Sequence, residues 1–86
     1  MNRAIVRTQA EWDALPARFD EYTVIEVRSI ETILIYRNPD NSRAELRGSS
    51  RAELRESSRA ELWGRSVAYQ KSVKTPELYG QSVCFL

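Results

Sequence analysis

From residue 42 onward the chain alternates apolar and charged positions in blocks of eight. The phrase Ser-Arg-Ala-Glu-Leu begins at Ser42, Ser50 and Ser58. Ala and Leu fall on one side of the alternation, Arg and Glu on the other. A period of two is that of a strand with one buried and one solvated face. The Ser/Gly joint between blocks supplies a turn. A helix would let the Ala/Leu stripe drift around its axis, and recurrent Gly and paired Ser would weaken it. Each Arg-Ala-Glu-Leu-Arg word is nevertheless a good helix former, so a helical outcome is the alternative.

Eight residues hold one strand and one turn, which cannot close a coil; two blocks can. Alternate blocks share features that neighbouring blocks lack. Gly48, Gly64 and Gly80 recur at sixteen, as do Glu45, Glu61 and Glu77, and Leu46, Leu62 and Leu78. Trp63 and Tyr79 occupy the position of Arg47. In the other set, Ala52, Ala68 and Cys84 share a column, and so do Glu53, Tyr69 and Phe85. The predicted fold is therefore mainly β: a short two-sided β-solenoid with sixteen residues per coil. One sheet takes 42–49, 58–65 and 74–81; the other takes 50–57, 66–73 and 82–86. Ala44, Leu46, Ala52, Leu54, Ala60, Leu62, Ala68, Leu78 and Cys84 point inward, with Gln70 a polar exception among them. The alternating Gly marks a turn that needs a positive φ.

The first half has a different pattern. Arg3–Arg7 is a short apolar run that reads as a strand. Thr8 with Glu11 three residues on matches a capping box, and Pro16 closes the segment, so a helix is expected over Gln9–Leu15. Glu21–Ser29 and Ile30–Arg37 are β-branched and aromatic and read as strands. Ile25 and Val27 share one face of the first, opposite Glu26 and Arg28. The second is apolar on both sides and is expected to be buried. Asn38–Asn41 is a turn signal. Residues 1–41 thus form a β-α-β-β cap on the solenoid of 42–86, covering an edge that would otherwise expose unpaired backbone.

Composition narrows the chemistry. The chain has 86 residues, which suggests one domain with a small core. Residues 1–41 carry five Arg and seven acidic residues; residues 42–86 carry six Arg, two Lys and five Glu. The formal net charge of +1 argues against a strongly basic nucleic-acid binder. Histidine is absent and Cys84 is the sole cysteine, so no His/Cys metal site or disulfide framework is expected. Asp13, Asp20, Glu21 and Glu31 have no spacing that singles them out for catalysis, and Cys84 reads as core. The expectation is no enzyme, no cofactor and no metal. No apolar run approaches signal-peptide or transmembrane length, which gives a cytoplasmic default without a membrane.

Octads with Ser/Gly joints and two units per coil resemble the octapeptide β-solenoid of bacterial ice-nucleation proteins, and are analogous to the nonapeptide β-roll of calcium-binding secreted toxins. Here Arg43, Glu45 and Arg47 replace outward Thr ladders, which argues against ice binding. The turns lack the Asp that calcium needs. The whole chain resembles uncharacterised octad-repeat proteins of bacteria and their phages, which imply no activity.

Two surfaces stand out. Tyr69, Tyr79, Val83, Phe85 and Leu86 are candidates for self-association through the C-terminal coil, as a homodimer or higher homo-oligomer. Arg43, Arg47, Arg59 and Trp63 form a candidate partner face, although its Arg and Glu columns can neutralise each other. The functional expectation is a non-enzymatic protein-interaction module, of a size that fits a phage- or mobile-element-type inhibitor of a host protein. The alternatives are a structural or assembly solenoid, and nucleic-acid binding through the Arg columns.

Overall fold

A computed structural model describes residues 2–29, 31–56, 58–72, 77, 78, 80 and 83–85. The order is β1 (Asn2–Val6), α1 (Gln9–Asp13), β2 (Arg18–Val27), β3 (Thr32–Ile35), β4 (Asp40–Leu46), β5 (Arg51–Glu56), β6 (Ala60–Leu62), β7 (Val67–Ser72), β8 (Glu77–Leu78) and β9 (Val83–Phe85). The strands form two parallel sheets. Sheet A runs β1-β2-β4-β6-β8 and sheet B runs β3-β5-β7-β9. From β2 onward, alternate strands go to opposite sheets, and the chain winds as a two-sided β-solenoid.

The sixteen-residue period is the register of the repeats. Ala44 pairs with Ala60 and Leu46 with Leu62 in sheet A; Ala52 pairs with Ala68 and Leu54 with Gln70 in sheet B. Their inward members Ala44, Leu46, Ala52, Leu54, Ala60, Leu62 and Ala68 join one buried cluster. Alternating small and branched side chains let the sheets interlock at close-packed density. The side chains of Leu78, Cys84 and Gln70 lie outside the described residues.

Each turn is built from its own sequence. Gly48, Gly64 and Gly80 adopt φ of 65°, 63° and 67°, the left-handed region where a Cβ is unfavourable. Ser50 donates its N–H and its Oγ–H to the Arg47 carbonyl, and Ser58 does the same to the Arg55 carbonyl. The opposite edge also turns through a positive φ, at Glu56 (55°). The alternation of Gly with Glu in the sequence hid that likeness.

The first half continues the coil as well as capping it. Ile25 and Val27 pair with Ala44 and Leu46, and Ile33 and Ile35 pair with Ala52 and Leu54, each nineteen positions on. The inward faces of β2 and β3 thus extend the same core. β3 is buried on one side only: Ile33 and Ile35 are fully buried, while Leu34 and Tyr36 are exposed. This corrects the expectation of a strand buried on both faces, because no layer of the described chain covers the outside of sheet B.

The cap proper is β1 and α1. β1 adds to β2 as the edge of sheet A. Thr8 caps α1 by accepting from the Glu11 N–H, and the Glu11 carboxylate accepts from the Arg7 N–H. The helix ends at Asp13, ahead of the expected Leu15. Leu15 donates to Trp12 three residues back, the tighter turn favoured just before a proline. Trp12 is buried and joins the core cluster, closing one end of the stack. Gln9 covers the exposed edge of β3: its amide donates to the Leu34 carbonyl at 3.1 Å and accepts from the Leu34 N–H at 2.6 Å. One side-chain amide thus stands in for a neighbouring strand, which blunts an edge that could otherwise recruit another chain.

Candidate functional site

Alternation gives each sheet one outward face, and the two faces differ in chemistry. On sheet A the outward positions of the central column are Glu26, Glu45 and Glu61, in register from strand to strand. Like charges stacked this way repel, so the column requires counter-charges. Arginines of the flanking columns supply them. Glu26 accepts from Arg3 at 2.6 Å and from Arg28 at 2.7 Å. Glu45 lies 2.8 Å from Arg47, 3.1 Å from Arg43 and 3.7 Å from Arg3. These guanidinium groups cover it, and Glu45 is only 2% exposed.

The electrostatics follow from this cage. The hydrogen bond from Arg28 holds the Glu26 carboxyl below its ordinary value of 4.5; burial opposes this, and the charges of Arg28 and Arg3 reinforce it. For Arg43, burial disfavours the charge, but Glu61 and Glu45 outweigh it, so its pKa rises above the usual arginine value. The face is finished by aromatic packing: the Arg47 guanidinium lies 4.4 Å from the centre of the Trp63 ring, a cation–π contact. The Trp63 indole N–H donates to Glu61 at 3.1 Å.

Of the candidate partner face, Arg43, Arg47 and Trp63 meet on the outward side of sheet A, and Arg59 lines a cleft beside Arg43. Arg43, Arg47 and Trp63 are held within the network just described. Arg59 occupies the column of Arg43, and its backbone is clamped by the Asn38 side chain, which donates to the Arg59 carbonyl at 2.9 Å and accepts from its N–H at 2.7 Å.

Sheet B presents a different surface. Leu34 is 37% exposed, Tyr36 49% and Tyr69 41%. Leu34 pairs with Glu53, Glu53 with Tyr69, and Tyr69 with Phe85; the next column runs Thr32, Arg51, Val67 and Val83. Among the described side chains, the charge on this face is on the strand between β3 and β7, where Arg55 is bonded to Glu53 and Arg51 is exposed; Lys71 of β7 is in register with Arg55. Of the self-association candidates, Tyr69 is exposed on this face, and Val83 and Phe85 are in register with Val67 and Tyr69. Tyr79 and Leu86 lie outside the described residues.

Several participants escaped the sequence reading: Glu26, Arg3 and Arg28 in the network, Leu34 and Tyr36 on sheet B, and the two amide clamps. A signal for the first group was present. Val24-Ile25-Glu26-Val27-Arg28 repeats the apolar-Glu-apolar-Arg order of Ala44-Glu45-Leu46-Arg47, but nineteen residues away rather than sixteen. Among the described residues no helix is long and apolar enough to cross a membrane. Comparison with family models, curated proteins and solved structures finds no match.

Proposed function

We propose that the protein is a non-enzymatic protein-interaction module that self-associates through the outward face of sheet B, toward its C-terminal coil. The observation that carries this reading is the contrast between the two faces. The charges of sheet A are largely satisfied by one another, which leaves them little free energy to gain from a partner. Sheet B exposes Leu34, Tyr36 and Tyr69. Exposed tyrosines beside aliphatic groups are typical anchors of protein interfaces.

A second copy suits the half of this face formed by β7 and β9. A two-fold axis parallel to the strands would lay β7 of one copy over β9 of the other. Val67 and Tyr69, with Val83 and Phe85 in register, would form the centre, and Lys71, in register with Arg55, would join the charged margin. Arg51, Glu53 and Arg55 of β5 would form a solvated rim on each side. An apolar centre with a charged rim is the usual anatomy of an interface.

Sedimentation velocity over a concentration series tests the proposal. The chain should gain mass with concentration, and Tyr69→Glu should remain a monomer with an unchanged β spectrum. A wild-type chain that stays monomeric across the series refutes it.

A further inference from the structure

A cleft of about 610 Å³ lies at the margin of sheet A, away from the sheet B surface. Its size falls within the range of small-molecule sites, about 300–1,000 Å³. Three arginines line it, from three parts of the fold: Arg37 from the connection after β3, Arg43 from β4 and Arg59 just before β6. Among the described residues of the lining, the three arginines face two carboxylates, Asp40 and Glu61, a positive balance. Tyr22 adds an exposed aromatic ring.

The walls are fixed before any ligand arrives. The Asn38 clamp ties the connection between β3 and β4 to the backbone of Arg59. Asp40 donates its backbone N–H to the Ala17 carbonyl at 2.9 Å, and the Asn41 amide donates to the Phe19 carbonyl at 3.2 Å. The two acids do not close the site to anions. Glu61 is turned toward the network, receiving the Trp63 N–H and lying 3.7 Å from Arg43. Asp40 makes an exposed contact to Arg37 at 3.4 Å, a kind of pair that contributes little and is readily exchanged.

We infer that this cleft binds a small phosphate ester, with the phosphate between Arg37 and Arg59 and the organic group against Tyr22. Guanidinium groups match phosphate oxygens in charge and geometry, and a tyrosine ring offers a stacking surface for a planar substituent. The inference is independent of self-association.

The test uses two probes on the full chain, inorganic phosphate and phenyl phosphate, followed by amide chemical shifts. Both should shift the resonances of 37–43 and 59–61 saturably at low salt. Phenyl phosphate should bind about three- to tenfold more tightly, because only it can stack. Arg37→Gln and Arg59→Gln should each weaken both probes about tenfold. Tyr22→Ser should abolish the advantage of phenyl phosphate while leaving phosphate binding in place. Arg51→Gln, on the other sheet, should change neither. The inference is overturned if no saturable shift appears up to about 10 mM probe, or if Arg37→Gln and Arg59→Gln, folded by their spectra, bind as wild type does.

Discussion

Substituting alanine at Gly64 and at Gly48 separates two costs that occur together in a stacked turn. Both residues have a left-handed backbone, at φ of 63° and 65°. A Cβ in that region costs roughly 1–2 kcal/mol. Alanine returns about 0.4–1 kcal/mol by restricting the unfolded chain. A Cβ on Gly48 would meet nothing within 4 Å, whereas one on Gly64 would lie 3.2 Å from the Gly48 carbonyl oxygen and 3.5 Å from its nitrogen. Those neighbours are backbone and cannot rotate away, so the second coil must shift. Overpacking of this kind adds about 1–3 kcal/mol. Gly48→Ala should therefore cost about 1 kcal/mol and Gly64→Ala about 2–3 kcal/mol. For a domain of this size each kcal/mol lowers Tm by about 4–8 °C. Urea and thermal melts of the two variants, followed by the β signal, measure the difference. Equal losses would refute the argument that the glycines stack in contact. A larger loss at Gly48 would refute it more strongly.

Two further predictions concern the cap and the charge network. Gln9→Ala removes both hydrogen bonds to the Leu34 backbone and opens the edge of β3. It should cost about 1–3 kcal/mol and speed aggregation near the melting temperature, measured by light scattering; unchanged aggregation would show that the amide does not protect the edge. Glu26 has a lowered folded-state pKa, so its ion pairs stabilise fully above pH 4.5, and that contribution is lost as pH falls through the folded value. Glu26→Gln should be less stable than wild type at neutral pH and should lose less stability as the pH falls below about 4.5; parallel acid-unfolding curves would exclude this role for Glu26.

Periodicity alone determined the solenoid. Gly48, Gly64 and Gly80 mark the coil length, because each takes a left-handed φ at the same turn, once per coil. Ala and Leu at every second position set the inward face, because a strand has no other way to bury one side. Thr8, Glu11 and Pro16 likewise marked the helix from local chemistry.

What the sequence could not determine was set by contacts between distant residues. The nineteen-residue offset hid the continuation of the two sheets into β2 and β3. Pairing Ile25 with Ala44 and Ile33 with Ala52 is a matter of spatial register, and a wider connection changes the spacing without changing the pairing. Whether Arg and Glu would serve a partner or one another depended on the ring of guanidinium groups around Glu45, which brings Arg3 from the opposite end of the first half. The roles of Gln9 and Asn38 depended on which backbone amide each one met. The contrast between the charge network of sheet A and the exposed Leu34, Tyr36 and Tyr69 of sheet B has the same origin. Alternation puts side chains on a face, but only the assembled sheet decides whether the neighbours on that face neutralise each other or leave one another exposed.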